Sequence, residues 1–476
     1  MFLRIHLTIA LFIIGTVAGG LASGQTKTDD GSKPNIILFV SDDHGKDALG
    51  CYGNPVIRTP NLDRLAEEGV RFVNAYCTSA SCSASRSVIL TGKYGHATAS
   101  YGHVHSYHHF RTYDDVVSLP LLLEQQGYHT ARIGKYHVAP EEAYKFRTVL
   151  EENARSTYEM AEACKAVLHG ELPFFLYFCT DDPHRGPATD SGDWTEPNKF
   201  GNREKGYPGI TPETYDPEEV VVPDFLPDNS ECRRELAQYY QSVSRIDQGF
   251  GRLIQILDDA GKTDNTIIIY ISDNGIAFAG AKTTTYEPGI NLPCIIKYPG
   301  LDNKGIINNA MITWADLAPT ILDMTGADIS EMDFHGRSFK GILEIENPEG
   351  WAEIYASHTF HEITMYYPMR VCRSGNFKLI WNIAWKLDYP FASDLWASPT
   401  WQRIYRDGLE YYGKRRVEEY IKRPEFELYD LSADPDEVVN LAGESAYRAV
   451  LQNMIGKIRK FQEDRNDPWI VKHSHE

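Results

Sequence analysis

The sequence predicts an α/β fold with a central mixed, mainly parallel sheet, flanked by helices and followed by a smaller C-terminal α+β subdomain. Unbroken apolar segments of strand length, at residues 35–40, 174–179 and 266–271, alternate with segments of helical periodicity. Because these segments lack polar alternation, they are typical of strands covered on both faces. Acidic, amide or histidine side chains follow most of them, which predicts one site at the carboxyl edge of the sheet.

The elements follow in chain order. After the first strand, Thr59 and Pro60 indicate the N-cap and first position of a helix. A small polar run places Cys82 at or just before the start of another helix, which Gly92 closes in a left-handed C-cap. Further strands are predicted within residues 129–137 and 292–298, and a long amphipathic helix over residues 230–260.

Three regions are predicted along the chain. Residues 1–24 have one early basic residue, a short apolar stretch and small residues, which is typical of a secretory signal peptide. A membrane anchor is the alternative, but the stretch is short for a span. Residues 33–349 form the main domain, with a long surface excursion over residues 190–228. Residues 350–476, with a hairpin and a late helix, form the C-terminal subdomain.

Composition narrows the class of protein. The formal net charge of −19 argues against nucleic-acid binding, and it favours a local basic pocket for any anionic substrate. The 8 cysteines are scattered without metal-binding spacing, so most are expected to be buried thiols, with one or two disulfides allowed. The chain has no Asn-x-Ser/Thr sequon, which together with the leader favours a bacterial periplasmic or secreted protein.

Oxygen ligands gather at the predicted carboxyl edge. Asp42 and Asp43 follow the first strand, and Asp273 and Asn274 follow the strand at residues 266–271. Hard oxygen ligands suit Ca²⁺ or Mg²⁺, whereas each pair alone would also fit a solvated turn. The histidine-rich run at residues 103–109 could suggest zinc, but the oxygen ligands favour a loop with a substrate-facing role.

Cys82 points to chemistry on an anion. Backbone N–H groups at a helix start favour a negative charge, and Arg86 lies one turn further on. A nucleophile beside an anion site indicates a phosphate or sulfate ester as substrate. The alternative is a buried free thiol, which is common at such positions.

These segments together resemble one family. Residues 35–43, 59–63, 81–92, 134–137 and 272–275 resemble the formylglycine-dependent sulfatases, which belong to the alkaline-phosphatase-like superfamily. Within that family the chain is most similar to the N-sulfoglucosamine sulfohydrolases, on stretches at residues 108–110, 118–123, 182–185, 200–202, 215–217, 361–370, 398–400 and 426–430. The sequence departs from the usual pattern at Ala84, where Pro is usual, and at Lys282, where close relatives of this group tend to have Arg.

The resemblance implies a catalytic apparatus. A maturing enzyme would oxidise Cys82 to formylglycine, whose hydrate supplies the nucleophilic oxygen. One Ca²⁺ ion would be held by Asp42, Asp43, Asp273, Asn274 and residue 82. The groups offsetting charge on the sulfuryl group would be Arg86, Lys135 and Lys282.

The resemblance also implies the proton carriers and the sugar contacts. His184 would protonate the leaving nitrogen, and His137 would take a proton from the sulfated hydrate. Candidates for holding the glucosamine are Arg185, His361, Glu362 and Arg370.

The predicted function is hydrolysis of the N-sulfate of terminal N-sulfoglucosamine in heparin or heparan sulfate. An O-sulfatase acting on another sulfated glycan is the nearest alternative. A phosphohydrolase of the same superfamily would normally have Thr or Ser at position 82 with two zinc ions. The third alternative is a protein that binds sulfated glycans without cleaving them, because its Cys82 is never oxidised. The expected partners are the sulfated saccharide and the maturing enzyme, with no nucleic acid and no membrane span in the mature chain, and a homodimer is left open.

Overall fold

An eight-stranded mixed sheet forms the centre of the fold, seen in a computed structural model that describes residues 32–186 and 197–472. The predicted signal peptide, residues 1–24, lies outside the described residues. The strands of this sheet are β1 (Asn35–Ser41), β2 (Val70–Tyr76), β3 (His129–Gly134), β4 (Thr148–Leu150), β5 (Phe174–Cys179), β6 (Thr266–Ser272), β7 (Cys294–Lys297) and β8 (Ile306–Thr313).

The strand order is β4-β3-β5-β1-β6-β7-β2-β8. All neighbouring strands run parallel except at β7, which is antiparallel to both β6 and β2. The predicted mixed, mainly parallel sheet is therefore confirmed. The strands β2, β4 and β8 were not predicted, because polar residues interrupt the apolar pattern of β2 and β8, and β4 has only three residues.

Helices cover both faces of the sheet. The helices are α1 (Pro60–Glu68), α2 (Cys82–Thr91), α3 (Gly95–Thr98), α4 (Leu119–Gln125), α5 (Thr157–Ala163), α6 (Lys165–Leu168), α7 (Ser230–Asp259), α8 (Glu287–Ile290), α9 (Leu317–Met324), α10 (Ser393–Trp396), α11 (Pro399–Asp407), α12 (Val417–Ile421) and α13 (Arg448–Asp464). The core on one face includes apolar side chains of α1, α5, α6 and α7, and the core on the other includes α2, α4 and α9.

The burial of β1 on both faces explains why residues 36–40 are all apolar. Ile36 and Leu38 pack into one of these two cores, whereas Ile37 and Phe39 pack into the other. Successive side chains of a strand point to opposite faces, so a strand with two buried faces has no place for a polar residue.

A second, antiparallel sheet follows in the C-terminal region. Its strands are β9 (Glu353–His358), β10 (Met369–Ser374), β11 (Phe377–Asn382) and β14 (Phe426–Asp430), in the order β14-β11-β10-β9. The predicted hairpin is β10 and β11, joined at Gly375, whose φ of 57° suits glycine. The short strands β12 (Tyr411–Tyr412) and β13 (Arg415–Arg416) pair with each other. Helix α13 packs on the sheet through Met454 and Ile458.

Three further expectations have outcomes here. All eight cysteines are described, and all are free thiols, so the allowance for one or two disulfides was wrong. Of the predicted excursion at residues 190–228, residues 190–196 lie outside the described residues. Residues 197–228 contain no helix or strand, although Phe200 and Leu226 anchor them in the core. Across the described part of the chain, no helix combines the length and apolar character needed to cross a membrane.

Candidate active site

The parallel pairing of β1 with β6 builds the floor of the site. Their last residues, Ser41 and Ser272, are in register, so the segments that follow them leave the sheet side by side. The backbone N–H of Asp43 donates to Asp273 Oδ1 at 3.1 Å, and Asn274 Nδ2 donates to Asp43 Oδ1 at 2.6 Å. The two pairs of oxygen-bearing side chains predicted from sequence therefore form one buried cluster.

This cluster fits a divalent cation. Asp42 Oδ1 and Asn274 Oδ1 are buried acceptor oxygens without a hydrogen-bond partner, which is a costly state for polar atoms. Burial raises the pKa of Asp43 to about 6 and that of Asp273 to about 7, because a charged carboxylate is disfavoured away from water. The neighbouring carboxylate of Asp42 contributes to raising both pKa values. A bound cation with oxygen preference would satisfy both the unpartnered oxygens and the crowded charge.

Cys82 is the first residue of α2 and lies against this cluster. Its Sγ is within 4.8 Å of a carboxylate oxygen of Asp42 and of Asp273. The predicted left-handed cap of α2 is confirmed at Gly92, whose φ is 65°. Burial raises the pKa of the Cys82 thiol to about 12, so the unmodified thiol stays protonated and is a weak nucleophile.

Two lysines flank the cluster. Lys135 forms an ion pair with Asp42, and Lys282 Nζ lies 3.0 Å from Asp43 Oδ2 and 3.0 Å from Asp394 Oδ2. Burial alone would lower the pKa of Lys282, but Asp394 and Asp43 raise it well above its ordinary value. Both lysines are therefore fixed positive charges beside Cys82.

A cavity of about 690 Å³ opens above this floor. Its lining consists of Cys82, His103, Val104, His105, Ser106, Tyr107, His108, Lys135, Tyr136, His137, Val138, His184, Lys282, His361, Glu362, Ser393 and Asp394. Among these described residues, the two lysines are the only Lys or Arg side chains. The walls otherwise consist of imidazoles, hydroxyl side chains, two carboxylates and two valines.

Hydrogen bonds between rings order the histidine wall. His103 Nε2 lies 3.0 Å from His361 Nε2, and His105 Nδ1 lies 2.6 Å from His137 Nε2. Burial lowers the pKa of His103, His137 and His361 well below the ordinary value, and neighbouring positive charges act in the same direction. These three rings are neutral near pH 7 and serve as hydrogen-bonding groups.

His184 also lines the cavity. Its Nε2 is 3.8 Å from Asp43 Oδ2. Burial and the nearby charge of Lys282 lower the pKa of His184 well below its ordinary value.

Seven of the residues predicted for the site line the cavity, and the four oxygen ligands lie beneath it. The lining residues are Cys82, Lys135, His137, His184, Lys282, His361 and Glu362. Three predicted arginines do not line it, and their positions correct the sequence analysis.

Arg86 is fully buried behind the carboxylates instead of facing the cavity. Its Nε donates to Asp273 Oδ2 at 2.9 Å, and its Nη1 donates to the Lys135 carbonyl at 3.0 Å. The guanidinium is thus engaged by the ligand cluster, and it acts on the site through Asp273.

Arg185 and Arg370 are engaged elsewhere, which was not foreseen. Arg185 forms a buried ion pair with Glu235 and donates to the Ala277 carbonyl. Arg370 Nη2 donates to Asp467 Oδ1 at 2.9 Å. Both guanidinium groups are buried and neither lines the cavity, so the structure does not place these two arginines at the substrate as expected.

Asp394 was missed by the sequence analysis although it lines the cavity. It lies in the short helix α10, about 110 residues from its partner Lys282. A single Asp among small and apolar residues carries no signal in one sequence. The histidines at positions 103, 105 and 108, in contrast, belong to the run that was predicted to face the substrate.

A second cavity, of about 550 Å³, shares no lining residue with the first. Lys46, Asp47, Glu287 and Arg373 are among its lining residues, and no cysteine or histidine is. Its mixed charges do not indicate one class of ligand.

Known proteins match both halves of the chain. A family model described as Sulfatase matches residues 34–327, and one described as N-sulphoglucosamine sulphohydrolase, C-terminal, matches residues 280–400. The human N-sulphoglucosamine sulphohydrolase is 36% identical over 460 residues, which cover 92% of this chain and 91% of the relative. The N-acetylglucosamine-6-O-sulfatase of Bacteroides thetaiotaomicron is 26% identical, covering 96% of this chain and 91% of the relative.

Solved structures have the same fold. One, described as a complex with its substrate D-glucosamine-2-N,6-O-disulfate, matches with a TM-score of 0.68 and 24% identity, over 94% of this chain and 100% of that one. The resemblance found from sequence is confirmed, and the chain belongs to the sulfatase family of hydrolases.

Proposed function

We propose that this sulfatase hydrolyses the N-sulfate of a terminal N-sulfoglucosamine in heparin or heparan sulfate, releasing sulfate and the free amine. The observation that carries the proposal is the cavity floor, where Cys82 begins a helix between Lys135 and Lys282. A helix start and two fixed cations suit a sulfate group. The nitrogen linkage is supported by the human relative, whose name states that activity.

The proposed cofactors are formylglycine, made from Cys82 by a maturing enzyme, and one Ca²⁺ ion. The ligands proposed for the ion are Asp42, Asp43, Asp273, Asn274 and residue 82. When bound, Ca²⁺ would polarise a sulfate oxygen and lower the pKa of the oxygen nucleophile. The proposal is supported by the unpartnered oxygens of Asp42 and Asn274, since both are hard ligands.

Each side chain of the cavity floor has a separate role in binding sulfate or transferring a proton. Lys135 and Lys282 bind the sulfuryl oxygens and offset the charge that develops on them. His184 donates a proton to the departing nitrogen, which is a poor leaving group without one. Burial and Lys282 lower the pKa of this ring in the empty site, and the negative charge of a bound sulfate raises it, so the ring gains its proton with the substrate. His137 takes a proton from the hydroxyl of modified residue 82. Arg86 holds Asp273 in place from behind.

The walls set the kind of sugar. His361 and Glu362 are proposed to hold the glucosamine hydroxyls, and the loop with His103 and His105 closes over them. Because the two lysines are the only lining Lys or Arg residues described, the cavity suits one sulfate group on a chain end. We propose residues 33–349 as the catalytic domain and residues 350–476 as the subdomain that completes the pocket. Export after removal of residues 1–24, to a bacterial periplasm or medium, belongs to the same proposal.

The test is sulfate release by protein co-expressed with a maturing enzyme. We expect release from N-sulfoglucosamine and none from 6-O-sulfated N-acetylglucosamine, with the Cys82→Ala protein as the blank. Release from the second substrate alone would overturn the substrate and favour an O-sulfatase, for which the 26% identical 6-O-sulfatase is the precedent. A mass for the residue-82 peptide separates either enzyme from an unmatured binder of sulfated glycans.

A further inference from the structure

Asp394 brings a carboxylate from the C-terminal region to the floor of the cavity. It lies in α10, is 8% exposed and lines the cavity beside Lys282. One ligand atom each from Asp43, His184 and Asp394 lie within 4.8 Å of one another. Asp394 is therefore a neighbour of the ring that, in the proposed function, protonates the departing atom.

The carboxylate of Asp394 can accept further hydrogen bonds. Its Oδ1 accepts from the backbone N–H of Leu395 at 2.9 Å, and its Oδ2 accepts from Lys282 Nζ at 3.0 Å. A carboxylate has about four lone-pair sites, so about two remain for a ligand. Lys282 donates two of its three ammonium hydrogens to Asp43 and Asp394, so one remains to bind a sulfate oxygen.

The bridging atom of the substrate differs between the two sulfate classes. The nitrogen of an N-sulfate carries a hydrogen and can donate, whereas the bridging oxygen of an O-sulfate carries none and presents only lone pairs. A fixed carboxylate beside that atom accepts a hydrogen bond from the first and repels the second. A site built to accept from a substrate N–H rejects the analogue that lacks it, because its buried acceptor is left unpaired.

We propose that Asp394 selects nitrogen-linked over oxygen-linked sulfate by accepting a hydrogen bond from the sulfamate N–H. The inference rests on the proposed function and adds the residue that distinguishes a sulfur–nitrogen from a sulfur–oxygen linkage. As the sulfur–nitrogen bond breaks, its electron pair goes to nitrogen, His184 supplies the proton, and sulfur bonds to the oxygen nucleophile. Asp394 gives and takes no proton in this step, and it remains the partner of the amine produced.

The experiment uses two sugars that differ only at the bridging atom. N-sulfoglucosamine and glucose 2-O-sulfate are compared by kcat/KM for the matured wild-type enzyme and for Asp394→Asn, an isosteric change. The Asn amide can donate to a bridging oxygen, so we expect the N-to-O preference to fall at least about tenfold, mostly through the N-sulfate. Asp407→Asn, which neutralises a carboxylate on the next helix outside the cavity, should leave that preference unchanged.

A binding measurement provides a readout that does not depend on maturation. We expect glucosamine, the amine product, to bind the unmatured wild-type protein more tightly than glucose, and Asp394→Asn to reduce this difference about tenfold. Thermal melting of each variant shows whether it is folded. If Asp394→Ser is needed in place of an unfolded Asn variant, the same two ratios apply.

The outcomes separate the inference from the proposed function. If the wild-type enzyme cleaves N-sulfoglucosamine and Asp394→Asn slows both sugars equally, Asp394 only positions Lys282 and the inference fails alone. If the wild-type enzyme cleaves glucose 2-O-sulfate and spares the N-sulfate, the proposed function fails and the inference fails with it.

Discussion

At the scale of single residues, the surroundings of Cys82 support the proposal that this side chain is modified. The thiol is buried against the carboxylates of Asp42 and Asp273, and burial raises its pKa to about 12. A protonated thiol in contact with acidic groups is a weak nucleophile and a poor ligand for an oxygen-preferring cation. An aldehyde hydrate at the same position offers oxygen for both tasks, which fits the hard ligands around it.

Replacing Cys82 by Ser should abolish turnover and preserve the fold. Because Ser has nearly the same volume, Cys82→Ser produced in an aerobic host is expected to melt within about 2 °C of the wild-type protein. Sulfate release should drop by about 10³-fold or more, since the nucleophile is lost. Sulfate release and thermal melting are measured on the same preparation, and undiminished activity would rule out the formylglycine role.

Replacing His184 by Ala should affect substrates according to their leaving groups. N-sulfoglucosamine needs a proton on its nitrogen, so we expect kcat to fall about 10²- to 10⁴-fold. An aryl sulfate whose phenolate leaves without a proton should lose less than about tenfold. Steady-state rates on the two substrates give the ratio. An equal loss on both would exclude His184 as the general acid and leave it as a binding residue.

At the scale of elements, the sequence predicts best what neighbouring residues decide together. The buried strands β1 and β6 are unbroken apolar segments, and their parallel register places Asp42 beside Asp273 as expected. The ends of α2 follow from local signals, because Gly92 is required where the helix leaves in a left-handed conformation.

What could not be predicted depends on partners far along the chain. Arg185 and Arg370 were expected at the substrate, but Glu235 and Asp467 hold them elsewhere. Nothing near either arginine in the sequence identifies its partner, which the tertiary fold alone supplies. Asp394 reaches the floor for the same reason, since α10 is one turn long and its position depends on the packing around it.

The Arg370–Asp467 pair gives a prediction about stability. Burial alone would raise the pKa of Asp467, but the hydrogen bond and charge of Arg370 hold it at about 2, below the usual 3.8. A lowered pKa stabilises the folded state by about 2 kcal/mol above pH 4, and this contribution disappears as the pH falls from about 4 to about 2. Asp467→Asn should lower the free energy of unfolding by about 3 kcal/mol at pH 7, because Arg370 keeps a buried, unpaired charge.

Urea unfolding across that pH range measures the effect. We expect the difference between wild type and Asp467→Asn to shrink as the pH falls below about 4, since the wild-type carboxyl then becomes neutral too. Activity per folded molecule at pH 7 should match the wild-type protein, because Arg370 does not line the cavity. A raised KM with unchanged stability for Asp467→Asn would instead indicate that Arg370 contacts the substrate.

At the scale of the whole molecule, charge is distributed unevenly between surface and site. The chain carries a formal net charge of −19, yet Lys135 and Lys282 present fixed positive charges at the cavity floor. An acidic exterior repels a polyanion at long range, while the local cations bind one sulfate at short range. The combination favours a chain end whose last sugar enters the cavity and whose remainder stays in solvent.

Salt should therefore act differently on short and long substrates. For N-sulfoglucosamine and for a heparan oligosaccharide ending in it, screening weakens the attraction to the two lysines equally. The oligosaccharide alone is also relieved of repulsion by the acidic surface, because the screening length falls from about 20 Å to about 7 Å between roughly 20 and roughly 200 mM salt. We expect the ratio of kcat/KM for oligosaccharide over monosaccharide to rise about three- to tenfold across that range. A ratio that falls with salt would mean that a basic surface outside the cavity attracts the chain, and the substrate would then be the polymer and not its end.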